Sequence, residues 1–205
     1  LYISLFDITI ALLYERVVSI FALIKKLSSL YGRPLISYSI ESALKSDLID
    51  RVIVSSDDPD ILAVAQKYGA ETPFVRPAEL ATDDSPEWLT WQHALNFLVK
   101  ETPNTNIRTF VCVSPTSPLR TTGDIDKCIN KLHLTNADIV ISVTPSDRNP
   151  YFNMVELKEK KYAKIVNDKK RFTRRQDAPK VYSMSTICFI LKPNFILKKV
   201  KGYIA

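Results

Sequence analysis

Between residues 32 and 144, short runs of β-branched and apolar residues alternate with amphipathic stretches of helix length. That alternation is the strongest constraint on what the chain can fold into. Arg51–Ser56 (RVIVSS) reads as a buried strand, Thr109–Val113 (TFVCV) as another apolar strand and Asp138–Thr144 (DIVISVT) as a strand. Pro34–Lys45, Pro59–Tyr68, Pro86–Lys100 and Asp124–Leu134 read as helices between them. The first carries a proline near its opening turn, and Gly69 sits where the second needs a left-handed closing residue. Strands separated by helices are the signature of βαβ units. The spacing therefore predicts an α/β fold, a Rossmann-like, mostly parallel sheet flanked by helices. After Pro145 the regularity breaks. Residues 146–180 are polar and basic and read as an excursion of short antiparallel strands, before Thr186–Leu191 (TICFIL) returns to the sheet.

The 205 residues suit one domain, 1–205, because domains typically hold about 100–200 residues. Residues 1–31 form an atypical N-terminal segment. Two apolar runs, Ile8–Tyr14 and Val17–Ile24, are split by Glu15-Arg16, and each reads as a buried helix or strand. Neither reaches the ~18 residues of a membrane span, and no basic stretch precedes them as in a signal peptide. Cys112, Cys128 and Cys188 are odd in number and widely spaced, which argues against a zinc site or a disulfide framework. Free thiols fit a reducing, cytoplasmic setting.

Charge is unevenly distributed. Residues 151–205 hold 14 basic and 4 acidic side chains, against 14 and 18 in residues 1–150. A basic quarter on an acidic body calls for a polyanionic ligand: a nucleotide, a nucleic acid or a membrane surface. The basic residues lack the aromatic interleaving or helix motif of a nucleic-acid-binding module, so neither nucleic acid nor membrane is expected as a partner.

In open α/β sheets ligands bind beyond the carboxyl ends of the strands. Three segments answer to that place. Ser55-Ser56-Asp57-Asp58 follows the RVIVSS strand; helix capping explains Asp57 and Asp58 more simply than catalysis. The second, Ser114-Pro115-Thr116-Ser117-Pro118-Leu119-Arg120, is a loop stiffened by two prolines that projects hydroxyls and an arginine. Arg171-Phe172-Thr173-Arg174-Arg175-Gln176-Asp177 brings arginines whose guanidinium forks suit carboxylate or phosphate; a solvated basic face is the competing explanation. His93, Trp88 and Trp91 lie on a helical pattern and read as packing residues. No Walker loop, GxGxxG or Ser-His-Asp order is present.

Several stretches together resemble the acylneuraminate cytidylyltransferases, the CMP-sialic acid synthetases and their relatives. They are Gly32-Arg33-Pro34-Leu35-Ile36, RVIVSSDD at Arg51–Asp58, Tyr68-Gly69-Ala70, Phe74–Ala81 (FVRPAELA), PTSPLR at Pro115–Arg120, and Arg174-Arg175-Gln176-Asp177. Ser85-Pro86-Glu87-Trp88 and Pro150–Val155 look most like bacterial members that activate legionaminic or related acids. The resemblance covers about residues 32–200. It implies a nucleotidyltransferase-type fold and transfer of CMP from CTP to a nine-carbon acidic sugar, with release of pyrophosphate. It further implies Mg²⁺ as cofactor and a homodimer formed through the excursion. Arg76, Ser85 and Ser114 would contact the nucleotide. Thr116, Ser117 and Arg120, with Arg174, Arg175 and Gln176, would face the sugar, the last three from the neighbouring subunit.

The chain also departs from that pattern. The family carries a Gly-rich basic loop before the residues matching Gly32-Arg33-Pro34, whereas Arg16–Leu30 contains no glycine; Lys25 and Lys26 are its nearest cations. Backbone anion cradles need glycine. Ser114 stands in place of a glutamine, and Ser183 and Ser185 replace an Asp and an Asn. The sequence begins at Leu1 and ends at Ala205, before the family's acidic D-x-D metal segment. The alternative expectation is therefore a truncated or frameshifted, non-catalytic member that keeps the fold and part of the substrate site.

Overall fold

The structure is a computed structural model, and it describes residues 6–14, 29–157 and 162–198. The chain divides into two compact units. One is formed by Leu1–Ser142 and Thr186–Ala205, the other by Val143–Ser185. The second unit contains residues 146–180, the segment read from the sequence as an excursion.

Strand β1 (Phe6–Tyr14) lies inside the main sheet. It pairs in parallel with β4 (Arg51–Ser55) on one side and with β5 (Thr105–Val113) on the other. Strand β9 (Tyr182–Leu191) runs antiparallel to β5, and β6 (Ile139–Pro145) completes the order β4-β1-β5-β9-β6. The continuous apolar character of Ile8–Tyr14 is explained by this position, since a strand covered on both faces reads as an unbroken hydrophobic run. Later in the chain a hairpin pairs β2 (Ser29–Leu30) with β3 (Arg33–Pro34) through Tyr31 and Gly32, both at positive φ.

Alternate residues feed two cores. Ala11, Leu13, Val52, Val54, Val111 and Val113 face one side of the sheet. There they meet helices α1 (Leu35–Leu44), α2 (Pro59–Lys67) and α4 (Thr122–His133) through Ile36, Ile40, Ile61, Ala65, Ile125 and Ile129. Ile10, Leu12, Ile53, Phe110 and Cys112 face the other side. They pack on α3 (Glu87–Glu101) and α5 (Pro193–Leu197) through Trp91, Ala94, Leu95, Leu98 and Ile196. Helices on both faces put the carboxyl ends of β1, β4 and β5 on one edge.

Local chemistry sets the boundaries. The Asp58 carboxylate accepts from the Asp60 and Ile61 amides and caps α2. Gly69 follows that helix at φ +90°, so the expected closing glycine is there. Thr121 and Asp124 form a reciprocal capping box at the start of α4. Its hydrogen bonds to the backbone and hydroxyl of Thr121 hold the Asp124 carboxyl below its usual range. In the second unit, β7 (Val155–Leu157) and β8 (Ala163–Ile165) form the antiparallel ribbon foreseen for the excursion. Among the described residues, no helix is long and apolar enough to cross a membrane.

Candidate functional site

At the carboxyl end of β4 the chain leaves the sheet as Ser55-Ser56-Asp57-Asp58. Residues 71–76 then run back beside that end. The Glu71 amide donates to Val52, the Val54 amide to Glu71, and the Arg76 amide to Ser56 at 2.9 Å. Pro73 and Pro77 restrict the backbone on either side of Arg76. The Arg76 side chain is thereby held in the interior, 0% exposed, with one nitrogen 3.0 Å from the Asp57 carboxylate. Among the described residues its Nε and Nη1 have no partner, and neither do the buried Ser55 and Ser85 hydroxyls. Unpartnered buried donors are costly and rare, so Arg76 and Ser55 together at the end of β4 mark a place suited to a ligand.

Other groups of the same unit surround this cluster. Tyr14, the last residue of β1, donates its hydroxyl to Glu87 in the first turn of α3 at 2.9 Å. Burial pushes the Tyr14 phenol up from its usual pKa, and Cys112 and Glu87 push the same way. His93 stacks edge-on against Phe74 and leaves Nδ1 buried and without a partner among the described residues. Burial lowers its pKa, the Arg76 cation adds to this, and Glu79 opposes it. His93 is therefore neutral at pH 7 and packs against Phe74. Trp91 is 1% exposed and belongs to the core.

The Ser114–Arg120 loop leaves the end of β5. Ser114 and Thr116 hydrogen-bond through their hydroxyls at 2.7 Å, and Ser117 meets Thr186 at 2.6 Å. Arg120 does not project from the loop. It is 7% exposed and turned inward. Its Nε donates to the Ile187 carbonyl at 2.8 Å and its Nη1 to Ser39 Oγ at 2.7 Å. Its Nη2 donates to the carbonyls of Ser114 and Thr186. Burial draws its pKa down to about 10, so it stays charged at neutral pH. The guanidinium thus ties the loop to α1 and β9, the Ser117 hydroxyl adds a second tie to β9, and Thr116 is exposed.

Arg174, Arg175 and Gln176 lie in the second unit, in and just before a 3-10 turn over Arg175–Asp177. Arg174 makes a two-pronged ion pair with Asp177, at 2.8 and 3.1 Å. Arg175 donates to the Asp147 carbonyl, and with Gln176 it lines a cleft of about 590 Å³ within that unit. Arg175 and Gln176 are together there, while Arg174 is committed to its own turn.

Three expectations lie outside the described residues: the glycine-free segment 16–28, its Lys25 and Lys26, and everything after 198. Sequence reasoning placed Ser55 in a candidate segment without giving it a role, and passed over the Tyr14–Glu87 pair and Ser39. The signal for Ser39 was present, because Ser37, Ser39 and Ser42 interrupt the buried face of an otherwise apolar helix. For a metal, no three His, Cys, Asp or Glu side chains converge among the described residues. Asp57, the carboxylate nearest the cluster, is engaged by Arg76. The described residues therefore do not make a protein-built Mg²⁺ site.

A sheet covered on both faces, with polar groups at the carboxyl end of a strand, defines an open α/β protein whose ligands are expected at that edge. The Cytidylyltransferase family model matches residues 23–203, and the chain belongs to that family. It is 33% identical over 175 residues to the post-translational flagellin modification protein B of Campylobacter coli, covering 85% of this chain and 73% of that protein. It is 35% identical over 164 residues to the CMP-N,N'-diacetyllegionaminic acid synthase of Campylobacter jejuni, covering 80% and 68%. In fold it is similar to a CMP:2-keto-3-deoxy-manno-octonic acid synthetase complexed with CTP. The TM-score is 0.61 at 12% identity, over 93% of this chain and 76% of that one.

Proposed function

We propose that the protein transfers CMP from CTP to a nonulosonic acid sugar of the sialic, legionaminic or pseudaminic type and releases pyrophosphate. The observation that carries this reading is the buried Arg76 guanidinium at the end of β4, half-partnered among the described residues, where Ser55 also leaves a buried hydroxyl without a partner among them. Fixed, dehydrated donors of this kind suit the oxygen acceptors of a nucleotide, because they need no rearrangement on binding. Ser114, Thr116 and Ser117 lie on the adjoining loop of the same unit, between nucleotide and sugar in this reading. Arg175 and Gln176, with Arg174, would meet the sugar carboxylate from the second unit of a partner subunit in a homodimer. Their arginine forks match a carboxylate.

The reaction joins the sugar's C2 hydroxyl oxygen to the α-phosphorus of CTP. The bond from that phosphorus to the bridging oxygen of the β-phosphate breaks, and the hydroxyl proton passes to solvent. The protein's share is alignment of two anions and neutralisation of charge that builds on the phosphates. Mg²⁺ is proposed to enter on the triphosphate, since it is commonly held by substrate phosphates with only one or two carboxylates. No step here is assigned to it.

The test is pyrophosphate release from CTP and Mg²⁺, with and without each candidate sugar. Release that requires the sugar supports the reading. A folded protein that binds CTP but releases nothing with any of them refutes it and establishes the non-catalytic alternative, which the glycine-free segment 16–30 favours.

A further inference from the structure

A second cleft of the main unit concentrates positive charge that the proposed transfer does not use. It lies at the amino end of β5, opposite the edge that carries Ser114, and has a volume of about 490 Å³. A β-bulge shapes it. Ile8 pairs with Ile107 and Thr9 with Thr109, so Arg108 is the residue left over. As a result Ile107 and Phe110, three positions apart, both join the core under α3. A bulge re-aims a side chain, and Arg108 is the one re-aimed here, exposed and lining the cleft. Strand β9 last pairs with β5 at Leu191–Phe110, after which Lys192 departs to donate its amide to Asp138. The recess opens where that pairing ends.

Charge at this recess is out of balance. Elsewhere in the unit, Arg33 pairs with Glu41, Arg51 with Glu71 and Glu101, and Arg76 with Asp57. Arg108 and Lys198 both line the cleft and have no carboxylate partner among the described residues. Lys192 is 3.6 Å from Asp138, the cleft's one carboxylate, and Asp7 nearby is occupied by the Asn106 amide at 2.7 Å. Three cations thus face one anion above the buried side chains of Ile107 and Leu132. Concave surfaces with an apolar floor and surplus charge of one sign focus the field on a counter-ion, and an arginine fork fits a tetrahedral oxyanion. His133 lines the same recess, joined by Nε2 to Thr109 Oγ1 at 2.8 Å. Burial and the Arg108 cation lower its pKa, so at pH 7 it is neutral and adds no repulsion toward a cation.

We propose that this cleft binds a small phosphate-bearing anion with two or more charges, at a distance along β5 from the nucleotide edge. The proposal is independent of the cytidylyl transfer. It is tested by titrating magnesium-free pyrophosphate, and separately inorganic phosphate, into the full ¹⁵N-labelled chain. The expected result is saturable shifts of the Ile107, Arg108, His133 and Asn194 amides, with the His133 pKa rising as the anion binds. The R108A/K198A double variant should weaken binding at least about tenfold. Both replaced side chains are on the surface, and an unchanged melting curve confirms that the fold survives; K192A serves as the second variant. The R175A variant in the other unit should leave these shifts untouched. Saturation by pyrophosphate but not phosphate defines the ligand as a diphosphate; both saturating defines it as any phosphate group. Absence of saturable shifts at these amides up to about 20 mM, or shifts that persist in R108A/K198A, overturns the proposal.

Discussion

Replacing Arg120 by alanine separates two accounts of the PTSPLR loop. The resemblance placed this arginine against the sugar, whereas the structure has it holding Ser39, Ser114, Thr186 and Ile187 together. Hydrogen bonds from a charged donor contribute about 1.5 kcal/mol each at the lower end, or about 6 kcal/mol for four. Against this stands desolvation. A guanidinium whose pKa has fallen to about 10 from its ordinary value has lost roughly 3 kcal/mol of preference for the charged form. The net is about 3 kcal/mol in favour of the native state, so R120A should lower stability by that amount and the melting temperature by about 9 °C. The Ser114 carbonyl keeps its bond from Ser39 Oγ at 3.2 Å, which limits the loss at that end of the strut. Lysine retains the charge but not the fork, and R120K should recover only about 1 kcal/mol. Urea unfolding with unchanged m-value measures the first quantity, and steady-state pyrophosphate release measures the second. A strut predicts a large stability loss together with a fall in kcat as the loop loosens. If R120A is within about 1 kcal/mol of wild type while the sugar KM rises tenfold at constant kcat, the strut account is refuted. Arg120 would then be a sugar ligand.

Three further outcomes follow from the same geometry. R76M should weaken CTP binding at least about tenfold while costing little stability, because the buried guanidinium is only partly partnered; calorimetric titration and a melting curve check both, and the His93 pKa should rise once the cation is gone. G69A should destabilise by about 1 kcal/mol or more, since the position has φ +90° and a new Cβ would come 3.2 Å from Leu44 Cδ1. Asp124 has a carboxyl pKa lowered by its bonds to Thr121, so its stabilisation is present above the unfolded carboxylate pKa and disappears as pH falls through the native one; D124N should be less stable than wild type at pH 7, and the gap should close on acidification in pH-dependent urea titrations.

The sheet was legible because its residues obey one rule at a time. RVIVSS and TFVCV are buried on both faces, helix starts carry proline, aspartate or threonine, and Gly69 occupies a conformation that other residues resist. The parallel strand at Phe6–Tyr14 was half legible: its apolar run demanded burial, but only pairing with β4 and β5 makes it a strand rather than a helix. Site residues were harder, because residue type states what a side chain can do and not where it points. The motif PTSPLR marks a loop worth building, yet nothing in six letters says that Arg120 bonds inward to Ser39, 81 positions away. Arg76 shows the converse. A lone arginine between prolines gives no sign of burial until residues 71–76 are laid along the end of β4. The bulge at Arg108 is the least legible of all. The sequence reads as a strand only over Thr109–Val113; the structure extends it back to Thr105, and only the register against β1 shows that a residue has been inserted and its side chain re-aimed. Features that depend on pairing between distant segments carry no local signature, and functional groups placed by such pairing share that silence.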